Sequence, residues 1–183
     1  MPVNAKRSAQ RESGNSFIPE NFDDGRSYRT QLTKIEEKPS LKKAGTTYFS
    51  WHLTPYDEDG VAFLDGSGAP LDVWATSPIE LWNNEKDGKK SIAWEYAEAF
   101  MGRELSDEDI DDLIADGFAE PLEGKWAMGL FEPKTATDSY GNTYERLNVV
   151  RLRPMRKKTA AMPQQDAIPP RRPRTVPPED DEQ

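Results

Sequence analysis

The stretch Lys42 to Gly60, KKAGTTYFSWHLTPYDEDG, places rings, cations and the only histidine of the chain on one extended segment. Read with a period of two, Thr47, Phe49, Trp51 and Leu53 point one way, and Thr46, Tyr48, Ser50, His52 and Thr54 point the other. Exposed rings beside lysines can stack flat bases and neutralise the phosphates of a single nucleic-acid strand. The competing use is structural, with Tyr48 and His52 capping a half-buried sheet face. Rings and cations of the same kind recur at Arg29 and Lys34 upstream, at Trp74, at the pair Lys125-Trp126, and at Arg146 and Arg151. With Lys42, Lys43, Tyr48, Trp51 and His52 they form the candidate nucleic-acid-binding set.

Catalysis fares worse on inventory. One histidine, no cysteine, no GxSxG elbow and no phosphate loop leave no nucleophile–base pair and no second imidazole for a metal. The series Asp107, Asp109, Asp111, Asp112 invites a calcium reading, but the loop glycine and the twelfth-position glutamate of an EF-hand are missing. It reads as the solvated face of a helix. The expectation is a protein that is not an enzyme and carries no cofactor and no metal.

The totals narrow the class further. Of 183 residues, 35% are hydrophobic, so the core must be concentrated in a subsection. The expected division is a flexible N-terminal arm over 1–24, one domain over 25–154, and a disordered proline-rich tail with an acidic tip over 155–183. No apolar run reaches the length of a membrane span, and the lack of cysteine fits a reducing compartment, so the expectation is a soluble cytoplasmic protein. The net charge of −9 opposes nucleic-acid binding until its distribution is considered. Residues 95–123 carry eleven acids against the single base Arg103, whereas the rest of 26–153 carries fourteen bases and thirteen acids. A sheet separated from the acidic block can still present a basic groove.

The elements that must position these residues follow from pattern. RSYRTQLTKIEE alternates Tyr28, Thr30 and Leu32 with Arg29, Gln31 and Thr33 as a first strand, and the opening stretch is the second. VAFLDGSGAPLDVWATSP is a third strand with an interruption, or a hairpin. Ser77-Pro78 should start a short helix, PIELWNN. Ser91 should cap a helix ended by Gly102, and Ser106 a second one stopped by Gly117. Trp94, Phe100 and Leu113 then pack helix on sheet. A fourth strand runs from Gly124 to Phe131 and a fifth from Thr143 to Arg153, with Leu147 and Val149 on one side and Val150 and Leu152 on the other.

Two long strands, an interrupted third, a helical insert and a closing hairpin are the order of a mainly β, five-stranded OB-fold barrel with an acidic helical insert between strands three and four. The chain also resembles bacteriophage single-stranded DNA-binding proteins of this fold. The resemblance rests on GRSYRTQLTKIEEKPSLKKAGTTYFSWHLTPYDEDG, like their first hairpin, and on EGKWAMGLFEPKTATDSYGNTYERLNVVRLRP, like their Gly-Lys strand and closing hairpin. It covers about residues 25 to 154. It implies a protein that coats single-stranded DNA during replication or recombination, in the host cytoplasm if phage-encoded. The acidic end Glu179-Asp-Asp-Glu182 is similar to tails by which such proteins recruit replication or recombination partners. The alternative is a non-catalytic module that uses the same barrel to hold a protein partner.

Overall fold

The computed structural model describes residues 18–155 apart from 24, 41–42, 85 and 138–140. In chain order the elements are β1 (Ser27–Pro39), β2 (Thr47–Tyr56), β3 (Val73–Pro78), the two-residue pair β4 (Asn83–Asn84) and β5 (Lys89–Lys90), α1 (Ile92–Met101), α2 (Asp107–Ala115), β6 (Trp126–Thr137) and β7 (Thr143–Pro154). The five long strands form one antiparallel sheet in the order β3-β2-β1-β6-β7. β1 is its spine: it pairs with β2 from Arg29 to Pro39, and its first residues, Ser27 to Gln31, pair with β6. The edge strands β3 and β7 approach within 8 Å at Cα without a ladder between them.

Alternation buries Tyr28, Thr30 and Leu32 and exposes Arg29, as expected for β1. Thr33 is then an extra residue between the pairs Leu32↔Leu53 and Lys34↔His52. This bulge resets the phase, so that Ile35 is the next inward residue and Lys34, Glu36 and Lys38 face outward. A second bulge corrects the reading of the fifth strand. Leu130 pairs with Arg151 but Phe131 with Val149, so Val150 is the extra residue and Leu152 returns to the inner side with Leu147 and Val149.

The inward faces make two clusters. The larger holds Leu32, Trp51 and Leu53 of the sheet against Ala93, Trp94, Ala97 and Phe100 of α1 and Ile110 and Leu113 of α2. Full burial of each leucine, isoleucine or phenylalanine side chain among these stabilises by about 1.5–3 kcal/mol, which is what fixes the helices on the sheet. Both helices keep their expected starts. The Ser91 hydroxyl caps α1, Gly102 ends it at φ 73°, and Ser106 with Asp109 forms a capping box on α2. The smaller cluster gathers Tyr28, Phe63, Leu71, Val73, Phe131 and Leu147. Phe22 packs on it, its ring 4.6 Å from Tyr28 and 5.1 Å from Phe63. Residues 18–23, assigned by sequence to a mobile arm, thus form a strap on the domain, tied where Tyr28 accepts a hydrogen bond from the Asp23 N–H at 2.7 Å. Residues 1–17 and the tail from 156 onward lie outside the described residues.

The short helix expected from Ser77-Pro78 is not formed. Ser77 is buried opposite Phe49, and its hydroxyl accepts the Trp51 indole N–H at 2.9 Å, so it is unavailable as a helix cap and β3 runs through Pro78. The glycine-rich stretch before β3 folds back on itself through the bridges Tyr56↔Ala62 and Leu64↔Pro70. Among the described residues no helix is long and apolar enough to cross a membrane.

Gly129, on the inner face of β6, is needed for space. A Cβ there would stand 2.7 Å from both the Phe131 ring and the Thr30 hydroxyl, and both of those residues are fully buried. Gly129→Ala is expected to lower stability by about 1–3 kcal/mol. Chemical denaturation would read this as a lower midpoint at unchanged slope, and a midpoint equal to wild type would show that the core yields there.

Candidate nucleic-acid interface

Residues paired across antiparallel strands project to the same face, so the register itself defines what the outer side of the sheet presents. One row crosses three strands as Lys34↔His52↔Trp74. A second crosses four as Arg153↔Met128↔Arg29↔Tyr56, with Arg151 opposite Leu130 and Trp126 opposite Gln31 beside it. The two rows differ in their electrostatics.

The first row is saturated by carboxylates. Glu36 takes Lys34 at 2.5 Å, Lys38 at 2.7 Å and His52 Nε2 at 3.2 Å. Asp72 takes His52 Nδ1 at 2.8 Å and the Trp74 indole N–H at 2.6 Å. Hydrogen bonds from Lys34 and Lys38 hold the Glu36 carboxyl down at about 2, and the same contact raises Lys34 above its ordinary value. Trp74 remains 49% exposed, with Lys38 Nζ 5.7 Å from its ring centre. Because the folded Glu36 value is depressed, its pairing contributes stability above the ordinary carboxylate range and loses it as pH falls from about 4.5 towards 2. Melting temperature followed from pH 6 to pH 2 should therefore fall less steeply in Glu36→Gln than in wild type; identical profiles would show that this contact does not couple to folding.

The second row has no such partners. Among the described residues Arg29, Lys134, Arg146, Arg151 and Arg153 have no carboxylate within 4 Å. Arg29 lies over the Trp126 ring at 5.0 Å, Trp126 packs against Tyr56 at 4.7 Å, and the Tyr56 hydroxyl donates to Gln31 at 3.0 Å. Arg146 stands opposite Lys134 farther along the same hairpin. The acids of residues 95–123 belong mostly to α1, α2 and the turns around them, and the bidentate clasp of Arg103 on Asp109 holds that carboxyl well below the usual range.

The candidate residues accordingly separate. Arg29, Trp126, Arg151 and Arg146 lie on the free outer row or its extension; Lys34, His52 and Trp74 lie on the neutralised row. Tyr48 is half-buried opposite Lys38, Lys43 is exposed in the turn before β2, and Lys125 is half-buried at the entry to β6, its carbonyl accepting the Leu32 N–H. Lys42 lies outside the described residues. Trp51 is corrected: at 0% exposure, ringed by Phe49, Tyr96, Phe100 and Phe118, it presents no face to a ligand. Its place on the apolar side of the alternation was the signal for this.

Sequence reasoning passed over Tyr56 and Arg153, and with them the carboxylates Glu36 and Asp72. Extending the Tyr48–His52 alternation by two more outward positions reaches Tyr56, which the turn signal after it obscured. Glu36 reaches the outer face only through the bulge at Thr33, which no local pattern announces. Among the described residues, no three His, Asp or Glu side chains are placed to hold a metal ion. The chain matches no protein-family model, and no curated protein matches it.

Proposed function

We propose that the protein binds single-stranded DNA through the outer face of its sheet, without catalysis, coating the strand during replication or recombination. The observation that carries this reading is the row Arg153–Met128–Arg29–Tyr56 with Trp126 and Arg151 beside it. It combines guanidinium groups that no carboxylate pairs, for phosphates, with rings for bases, on one face of a sheet. An OB-fold barrel is the architecture this reading assumes. Its support is the strand order β3-β2-β1-β6-β7, the helical insert between β3 and β6, the two bulges that bend the sheet, and edge strands that meet across a seam bridged by α1. Replication or recombination proteins, reached through the C-terminal tail in the host cytoplasm, are the partners that go with it.

A fluorescence titration with oligo-dT at two salt concentrations tests the reading. Trp126 should be quenched, and affinity should fall as salt rises, by a factor set by the number of phosphates neutralised. If micromolar oligo-dT causes neither quenching nor a mobility shift at low salt, the sheet holds a protein partner instead.

A further inference from the structure

We propose that Glu36, seconded by Asp72, sets the footprint of the nucleic-acid strand. The two carboxylates keep phosphates off the Lys34–His52–Trp74 row and confine the strand to the row of Arg29, Arg151 and Arg153. The inference rests on the single-stranded DNA reading and adds to it the residues that decide which half of the sheet is used.

By residue type the first row is the better binding surface, since it places Lys34, Lys38 and His52 around the exposed ring of Trp74. Access is not what it lacks, because the Lys34 and Lys38 side chains are 57% and 39% exposed. What closes it is a carboxylate at its centre. Glu36 Oε1 takes Lys34 at 2.5 Å, while its Oε2 takes Lys38 at 2.7 Å and His52 Nε2 at 3.2 Å. Asp72 Oδ2 holds the other ring nitrogen of His52 and the Trp74 indole N–H. Glu123, which accepts the Ile35 N–H at 3.0 Å, acts on Lys34 more weakly, so Glu36 is the charge that matters. Ion pairs this exposed add little to folding stability. Their effect on a ligand is different, because a phosphate that reaches Lys34 or Lys38 must displace Glu36 and then stay beside its negative charge. The bulge at Thr33 builds this arrangement: without it the alternation of Tyr28, Thr30 and Leu32 would carry Lys34, Glu36 and Lys38 to the inner face.

The same charge leaves the second row alone. Glu36 lies seven positions beyond Arg29 on β1, about 20 Å at the rise of a strand with one bulged residue. That is twice the Debye length of about 10 Å at 0.1 M salt. The outward residues between the rows carry no charge: Gln31 donates to the Gly124 carbonyl at 3.3 Å and accepts from Tyr56, and its partner Thr54 is buried. Removing the Glu36 charge should therefore add phosphate contacts at Lys34 and Lys38 rather than strengthen those made by the arginines.

Oligo-dT titrations of E36Q between about 50 and 200 mM salt test this. E36Q should bind about tenfold tighter than wild type at the low end, and its slope of log affinity against log salt should be steeper by about 0.7 for each lysine released. E37Q makes the same charge change one residue along, opposite Phe49 on the other face of β1, and should match wild type in both readings. E36Q/K34A/K38A should return both to wild-type values. Wild-type protein that binds, beside an E36Q protein of equal affinity and slope, overturns the inference and leaves the DNA reading standing. A gain in E37Q as large as in E36Q, or a gain that survives loss of both lysines, overturns it too, because net charge alone would then account for the change. If neither wild type nor E36Q binds micromolar oligo-dT at low salt, the DNA reading falls and this inference with it.

Discussion

Replacing Arg29 and Arg153 together with alanine should lower affinity for oligo-dT by about a hundredfold or more, because each guanidinium is an unpaired cation whose bond to a phosphate is a charge-assisted hydrogen bond of about 1.5–3 kcal/mol. The salt dependence should flatten at the same time, by about 0.7 in the logarithmic slope for each phosphate of a single strand that is no longer neutralised. Trp126→Ala should weaken binding by a further 1–3 kcal/mol or about that if a base stacks there. The comparison that gives these numbers meaning is Lys34→Ala. Lys34 is already engaged by Glu36 at 2.5 Å, so its removal should leave affinity within a few-fold of wild type. Titrations at about 50 and 200 mM salt, a range over which phosphate binding changes strongly, would read all three. A double arginine variant that binds like wild type, beside a Lys34→Ala variant that does not, would move the interface to the Lys34–His52–Trp74 row.

Trp51→Ala should cost about 3–5 kcal/mol of folding stability, the range for deleting a large buried ring. The residue is wholly enclosed, its ring lies 5.2 Å from Tyr96 and 6.0 Å from Phe118, and its indole N–H satisfies the buried Ser77 hydroxyl. Trp51→Phe should fall between, since it restores much of the volume but leaves Ser77 without its donor. Equilibrium denaturation measures the cost, and DNA titration below the melting temperature separates it from binding. A Trp51→Ala protein with an unshifted midpoint and no affinity would place this ring on the ligand side after all.

Much of the architecture was legible because it depends on local rules. Ser91, Gly102 and Ser106 announce the helix ends through capping chemistry, and Tyr28-Arg29-Thr30-Gln31-Leu32 announces a two-sided strand through its period. What escaped depends on partners distant in sequence. Ser77 looks like a helix cap until Trp51 claims its hydroxyl from the neighbouring strand. Thr33 and Val150 look like ordinary alternating residues until the register with β2 and β6 makes each the odd one out. The candidate site suffered most from this, because a single extra residue decides whether Glu36 faces the core or the lysines, and so decides which cations are left unpaired.

The pairing of β1 with β6 joins Tyr28 to Gly129, roughly a hundred residues apart. At a synthesis rate of about 5–20 residues per second, β1 leaves the ribosome about 5–20 s before the strand that covers its edge. During that interval the hairpin of β1 and β2, joined by β3, is an open meander whose inner face and free edge invite pairing with other chains. The segment made in the meantime is the acidic one, residues 95–123. Its like charge should disfavour contact between neighbouring nascent chains while the spine waits for its last two strands.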